Sequence, residues 1–106
     1  MNINPKTEKA ILGLGETFLL SGQPNEALVL FEEAIKNNPT NLLFWSNKGS
    51  VAIQLKDYVQ ALAAFDHALL LNPDAYEVLV NKGIALNLLG NYEQALTCFD
   101  LSLIHI

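Results

Sequence analysis

Residues 42–73 read LLFWSNKGSVAIQLKDYVQALAAFDHALLLNP, and the rest of the chain repeats this stretch in both directions. Asn-Pro recurs at Asn4-Pro5, Asn38-Pro39 and Asn72-Pro73, a step of 34 residues each time. Gly15, Gly49 and Gly83 keep the same step. So do Ala27-Leu28, Ala61-Leu62 and Ala95-Leu96, and Phe31, Phe65 and Phe99. Gly22 and Gly90 mark a turn in the middle of the unit, and Lys56 stands at the same place between them. A period of this length is the sequence sign of a helical repeat array, in which each unit buries its neighbour's apolar face.

Local signals divide each unit into two helices. Pro suits the first helical turn and Asn caps it, so the first helix should start near Pro5 or Glu8 and reach Leu20. Ser21-Gly22-Gln23 is the turn, and Pro24 opens a second helix reaching about Asn37. The apolar residues Leu28, Phe31 and Ile35 fall at helical spacing. Asn38-Pro39 stops that helix, since Pro clashes with the preceding turn. The same signals predict helices at about Leu42–Leu55 and Tyr58–Leu71, then Tyr76–Leu89 and Tyr92–His105. The small Gly49 should let the partner helix approach, with the Ala61 methyl opposite and Phe65 between neighbouring pairs.

Composition sets outer limits. The chain has 106 residues, 51% hydrophobic, which suits one domain of residues 1–106 with a real core. Its single cysteine excludes an internal disulfide framework. No stretch has the roughly 18 unbroken apolar residues of a membrane span. MNINPKTEK lacks the apolar run of a secretory signal. An intracellular, cytoplasmic chain with no membrane partner is expected, or a piece of something longer. Net charge is −5, with scattered basic residues. That argues against nucleic acid, which needs clustered Lys and Arg.

No catalytic constellation emerges, and neither a cofactor nor a metal is expected. His67 and His105 fall at different places in their units and have no nearby Cys. Asp66-His67 lacks a nucleophile on a Gly elbow and reads as a surface pair on a helix. Cys98, beside Phe99, reads as a core or boundary residue. Gly13 and Gly15 follow no strand, so they make no phosphate loop.

The units resemble tetratricopeptide repeats. That family's pattern of Trp, Leu-Gly, Tyr, Ala, Phe, Ala and Pro is met by Trp45, Gly49, Ala61, Phe65, Ala68 and Pro73. The last unit offers Leu79, Gly83, Leu86, Ala95, Phe99 and Ser102. The first offers Ile11, Leu14-Gly15, Phe18, Ala27, Phe31, Ala34 and Pro39. Lys48 and Lys82 depart from it by replacing Leu before the Gly, and Ala52 replaces a larger residue. The resemblance runs from about Glu8 to Ile106. It implies an all-α, right-handed α-solenoid of three helix-turn-helix repeats, approximately 8–41, 42–75 and 76–106. It also makes Trp45 a packing position.

The resemblance further implies a non-catalytic module that binds a protein or peptide on a concave groove lined by the first helix of each pair. Helical spacing assigns the lining to Leu12, Glu16 and Leu19, then Leu43, Ser46, Asn47, Ser50 and Ile53, then Val80, Asn81, Ile84 and Asn87. The Asn47 and Asn81 carboxamides can hydrogen-bond a peptide backbone without demanding charge. The family's best-known site clamps a C-terminal carboxylate with Lys, Arg and Asn. Only Asn47 matches it here. Leu12, Glu16, Glu77 and Asn81 stand at its other places, so acidic chaperone tails are not expected to bind.

The closing LSLIHI is apolar where the first unit has the charged EEAIKNN. Glu33, His67 and Leu101 share one place, and Lys36, Leu70 and Ile104 another. Leu96, Phe99, Leu103 and Ile106 would also want a following unit. Exposed apolar patches of this kind mark interaction surfaces. Either more repeats follow in the natural protein, or copies associate as a homo-oligomer through Leu96, Phe99, Leu101, Leu103, Ile104 and Ile106.

Overall fold

A computed structural model describes residues 4–103. Among these residues six helices form three pairs: α1 (Pro5–Leu20) with α2 (Pro24–Asn37), α3 (Leu42–Gln54) with α4 (Tyr58–Leu71), and α5 (Tyr76–Leu88) with α6 (Tyr92–Leu103). Bounds agree with the sequence signals to within a residue, except that the expected end of α6 at His105 lies outside the described residues.

Side-chain caps start three of the helices. Asn4 Oδ1 accepts the Thr7 N–H at 2.8 Å. Asn41 Oδ1 accepts the Leu43 N–H at 2.9 Å. Asp57 Oδ1 accepts the Gln60 N–H at 3.2 Å. Each satisfies a donor that the helix itself leaves without a partner. The pairs then turn in one way. Gln23, Asp57 and Asn91 donate N–H to the carbonyls of Phe18, Ala52 and Leu86, the bond that closes a Schellman turn. The residue before each donor takes a positive φ: Gly22 at 73°, Lys56 at 63° and Gly90 at 85°.

Lys56 therefore holds a left-handed conformation that glycine takes at its two equivalents. The conformation costs a non-glycine residue roughly 1–2 kcal/mol. Glycine offsets part of this by losing more chain entropy on folding. Lys56→Gly is expected to stabilise the fold by about 0.5–1 kcal/mol, raising Tm by about 2–8 °C. Thermal unfolding followed by circular dichroism checks this, and an unchanged or lower Tm would contradict it.

The core is a row of phenylalanines. Phe31 and Phe65 are almost wholly buried. A methyl placed on Gly15, Gly49 or Gly83 would collide with the ring of Phe31, Phe65 or Phe99 respectively. The group over Gly49 is thus the Phe65 ring of its own pair, not the Ala61 methyl that the sequence suggested. The same ring shares a cluster with Val78 and Ala85 of α5, so it packs both within and between pairs.

Each helix packs on the next in sequence, and α3 also packs on α1 and on α5. Among the described residues the second helices stand apart: the backbones of α2 and α4, and of α4 and α6, do not pack closely on one another. First helices close together and second helices splayed give a curved stack. The result is an all-α solenoid whose inner, concave side is lined by α1, α3 and α5.

Candidate peptide-binding groove

Two adjoining clefts occupy the concave side. The first, about 430 Å³, lies between α1 and α3 and is lined by Leu12, Glu16, Leu19, Leu43 and Asn47, with Lys9 and Gly13. The second, about 220 Å³, lies between α3 and α5 and includes Leu43, Ser46, Tyr76, Glu77 and Asn81. Leu43 belongs to both and is 49% exposed, so it stands as an apolar ridge between them.

Seven of the twelve residues assigned from sequence meet in these clefts: Leu12, Glu16, Leu19, Leu43, Ser46, Asn47 and Asn81. The other five do not line them. Ser50 turns its hydroxyl back to the Ser46 carbonyl at 3.3 Å. Ile53 packs against the cluster around Phe65 and belongs to the core. Val80 is half-buried, while Ile84 and Asn87 are exposed further along α5. Lys9 and Tyr76 are among the lining residues the sequence reading passed over. Lys9 precedes Leu12 by three and Glu16 by seven on the same helix face, and that spacing was the signal available.

The electrostatics are uneven. Lys9 and Glu16 give the first cleft one charge of each sign. Glu77 and Asp74 give the second cleft two carboxylates and no basic residue. Asn47 lines the first cleft and Asn81 the second, one helix pair apart. The arrangement offers apolar contact at Leu12 and Leu43, and amide donors and acceptors beside it.

A larger cleft lies off the concave side. It holds about 580 Å³ between α1 and α2 and is bordered by Leu14, Phe18, Val29 and Leu30. The last pair has a cleft of about 340 Å³ at the same place, bordered by Lys82, Leu86, Cys98 and Leu101. In the middle pair the equivalent residues Trp45 and His67 stack, with ring centroids 3.7 Å apart. Trp45 Nε1 also donates to the Pro39 carbonyl at 2.7 Å. The two outer clefts share no lining residue, whereas the concave clefts run together at Leu43. The concave side is therefore the better surface for an extended ligand.

The remaining reactive-looking residues have structural surroundings. Asp66 and His67 do not act as a pair. His67 lies on Trp45, and Asp66 forms an ion pair with Lys82 of α5 at 2.7 Å. Cys98 is buried, and burial pushes its thiol above the ordinary range; nearby Lys82 pulls it down less strongly. It is held as the neutral thiol, a poor nucleophile.

The residues expected at the closing surface divide into two faces. Leu96, Phe99 and Leu103 lie on one face of α6 at helical spacing, and Leu96 and Leu103 are each 62% exposed. Leu101 points the other way, into the outer cleft with Cys98. Ile104 and Ile106 lie outside the described residues.

Tetratricopeptide repeat family models match residues 12–69 and 52–103. No curated protein matches the chain significantly. Solved structures do. The first TPR of Spaghetti (RPAP3), solved with the HSP90 peptide SRMEEVD, superposes with a TM-score of 0.89 at 19% identity, covering 97% of this chain and 82% of that one. The Arabidopsis OM64 TPR domain gives 0.86 at 24% identity, covering 91% and 79%. The crystal structure of MamA gives 0.83 at 20% identity, and there the match covers 93% of this chain but 58% of MamA. At such identities the likeness establishes the fold. With one family model spanning more than half the sequence and three stacked helix pairs beneath it, the chain belongs to the tetratricopeptide repeat family.

Proposed function

We propose that the protein is a non-catalytic interaction module that holds a peptide segment of a partner protein along its concave side. The observation that carries this reading is the continuity of the two concave clefts at the half-exposed Leu43, with Asn47 on one side and Asn81 on the other. Apolar side chains of the ligand cover Leu12 and Leu43, and the two amides hydrogen-bond its backbone. Recognition of this kind takes affinity from the backbone and specificity from the pockets.

Charge selects among such ligands. Several structural neighbours are solved with HSP90 or HSP70 peptides. The carboxylate clamp is not carried by this chain, since Leu12, Glu16, Glu77 and Asn81 occupy four of its five places. Glu16 and Glu77 would face an incoming carboxylate, and like charges at close range oppose binding. The peptide SRMEEVD is expected to bind no better than about millimolar, near −4 kcal/mol. A low-micromolar titration would overturn this.

The groove itself is tested with a peptide selected on the intact protein from a random displayed library. Leu43→Glu is expected to weaken that peptide by more than about tenfold, which is about 1.4 kcal/mol. Leu103→Glu, on α6, should leave its affinity unchanged. Undiminished binding to Leu43→Glu would remove the groove from the account.

A further inference from the structure

Charge is distributed unevenly between the two sides of the array. The chain has six basic residues. Among the described residues, Lys9 alone of these lines a concave cleft, and it shares that cleft with Glu16. The lysines of α3 and α5 are engaged on the outer side. Lys48 lies over the Trp45 ring, its Nζ 5.8 Å from the centroid. Lys82 pairs with Asp66 of α4 at 2.7 Å. The second cleft is left with carboxylates and no cation.

Glu77 is the central group of that cleft. It is exposed, and among the described residues its carboxylate takes no ion pair or hydrogen bond. Asn81, one turn further along α5, is half-buried and likewise makes no side-chain hydrogen bond there. Tyr76, 46% exposed, borders the same cleft. A carboxylate, an amide oxygen and an aromatic ring together suit a guanidinium or ammonium group. The first two accept its charged N–H donors, and the third offers a π face. In the first cleft Lys9 offsets Glu16, so the charge preference belongs to the second.

Given a peptide segment on the concave side, we propose that it is a basic, extended one whose arginine or lysine enters the second cleft against Glu77, Asn81 and Tyr76. Its neighbouring apolar residue covers Leu43, the ridge between the clefts. Packed helix axes lie roughly 8–10 Å apart and an extended chain advances about 3.3 Å per residue, so the cation and the apolar residue stand about two or three positions apart. An acidic residue in the cation's place meets Glu77 and is rejected. A neutral one covers Glu77 without replacing the water it loses.

The test is a pair of displayed-library selections, one on the intact protein and one on its Glu77→Lys variant. Peptides from the first should carry Arg or Lys at that spacing from an apolar residue, and peptides from the second Asp or Glu. In titrations, Glu77→Lys should weaken a wild-type-selected peptide about tenfold or more, and Glu77→Gln about two- to fivefold. Exchanging the peptide's cation for Glu should weaken binding to the wild type and restore it on Glu77→Lys. Glu77 also lies in the first turn of α5, where a carboxylate suits the helix dipole, but that role would not produce the restoration. Selected peptides with no excess of cations, or an exchange that restores nothing, would overturn the proposal. The concave groove itself would then still stand if the charge-neutral Leu43→Gln weakened those peptides. Undiminished binding to Leu43→Gln would remove both.

Discussion

Phe65→Ala should remove about 3–5 kcal/mol of stability, the usual cost of deleting a buried phenylalanine ring. The ring is 0% exposed and joins the middle pair to Val78 and Ala85 of the next. Losing it opens a cavity where the second and third units share a core. A domain of this size has only about 5–15 kcal/mol in total. The midpoint should therefore fall by more than about 12 °C. Urea unfolding followed at Trp45 reports the middle pair directly. A loss below about 1 kcal/mol would mean that the neighbouring side chains close the cavity, contrary to the packing described here.

The second large effect is at Gly49 and carries a change of sign. In a helix interior, alanine is favoured over glycine by roughly 1 kcal/mol. At Gly49 the added methyl meets the Phe65 ring, which must shift. Overpacking costs about 1–3 kcal/mol and should outweigh the helical gain, so Gly49→Ala destabilises the native protein. In the Phe65→Ala background the obstacle is gone, and the same substitution should stabilise. The two changes then couple by about 1–3 kcal/mol in a double-mutant cycle. Additive effects would show that the glycine and the ring do not share a contact.

Much of this was legible from the repeat. A 34-residue step sets the register of every helix, and with it the turn at Lys56, whose positive φ follows from its equivalence to Gly22 and Gly90. Contacts across helices were less accessible. That Phe65 rather than Ala61 sits over Gly49 depends on the crossing of α3 and α4, which spacing along one helix does not determine. The division of Asp66 from His67, one paired with Lys82 and the other stacked on Trp45, has the same origin. The groove shows the limit in another way. Helical spacing found the Leu12–Glu16 and Leu43–Asn47 rows, but Ile53 was drawn into the core and Lys9 was passed over. A residue one turn along a curved array can face the clefts or leave them, and the curvature comes from contacts among α1, α3 and α5. Leu101 and Leu103 make the same point on α6. Both continue an apolar run, yet a helix turns them to opposite faces.

The most direct measurement is an amide-resolved NMR titration of the whole protein with a library-selected peptide. The account predicts that the largest shifts fall at Leu12, Leu43, Asn47 and Asn81, along the two joined clefts. Shifts confined to α6, or to the outer cleft beside Val29, would contradict it and move recognition off the concave side.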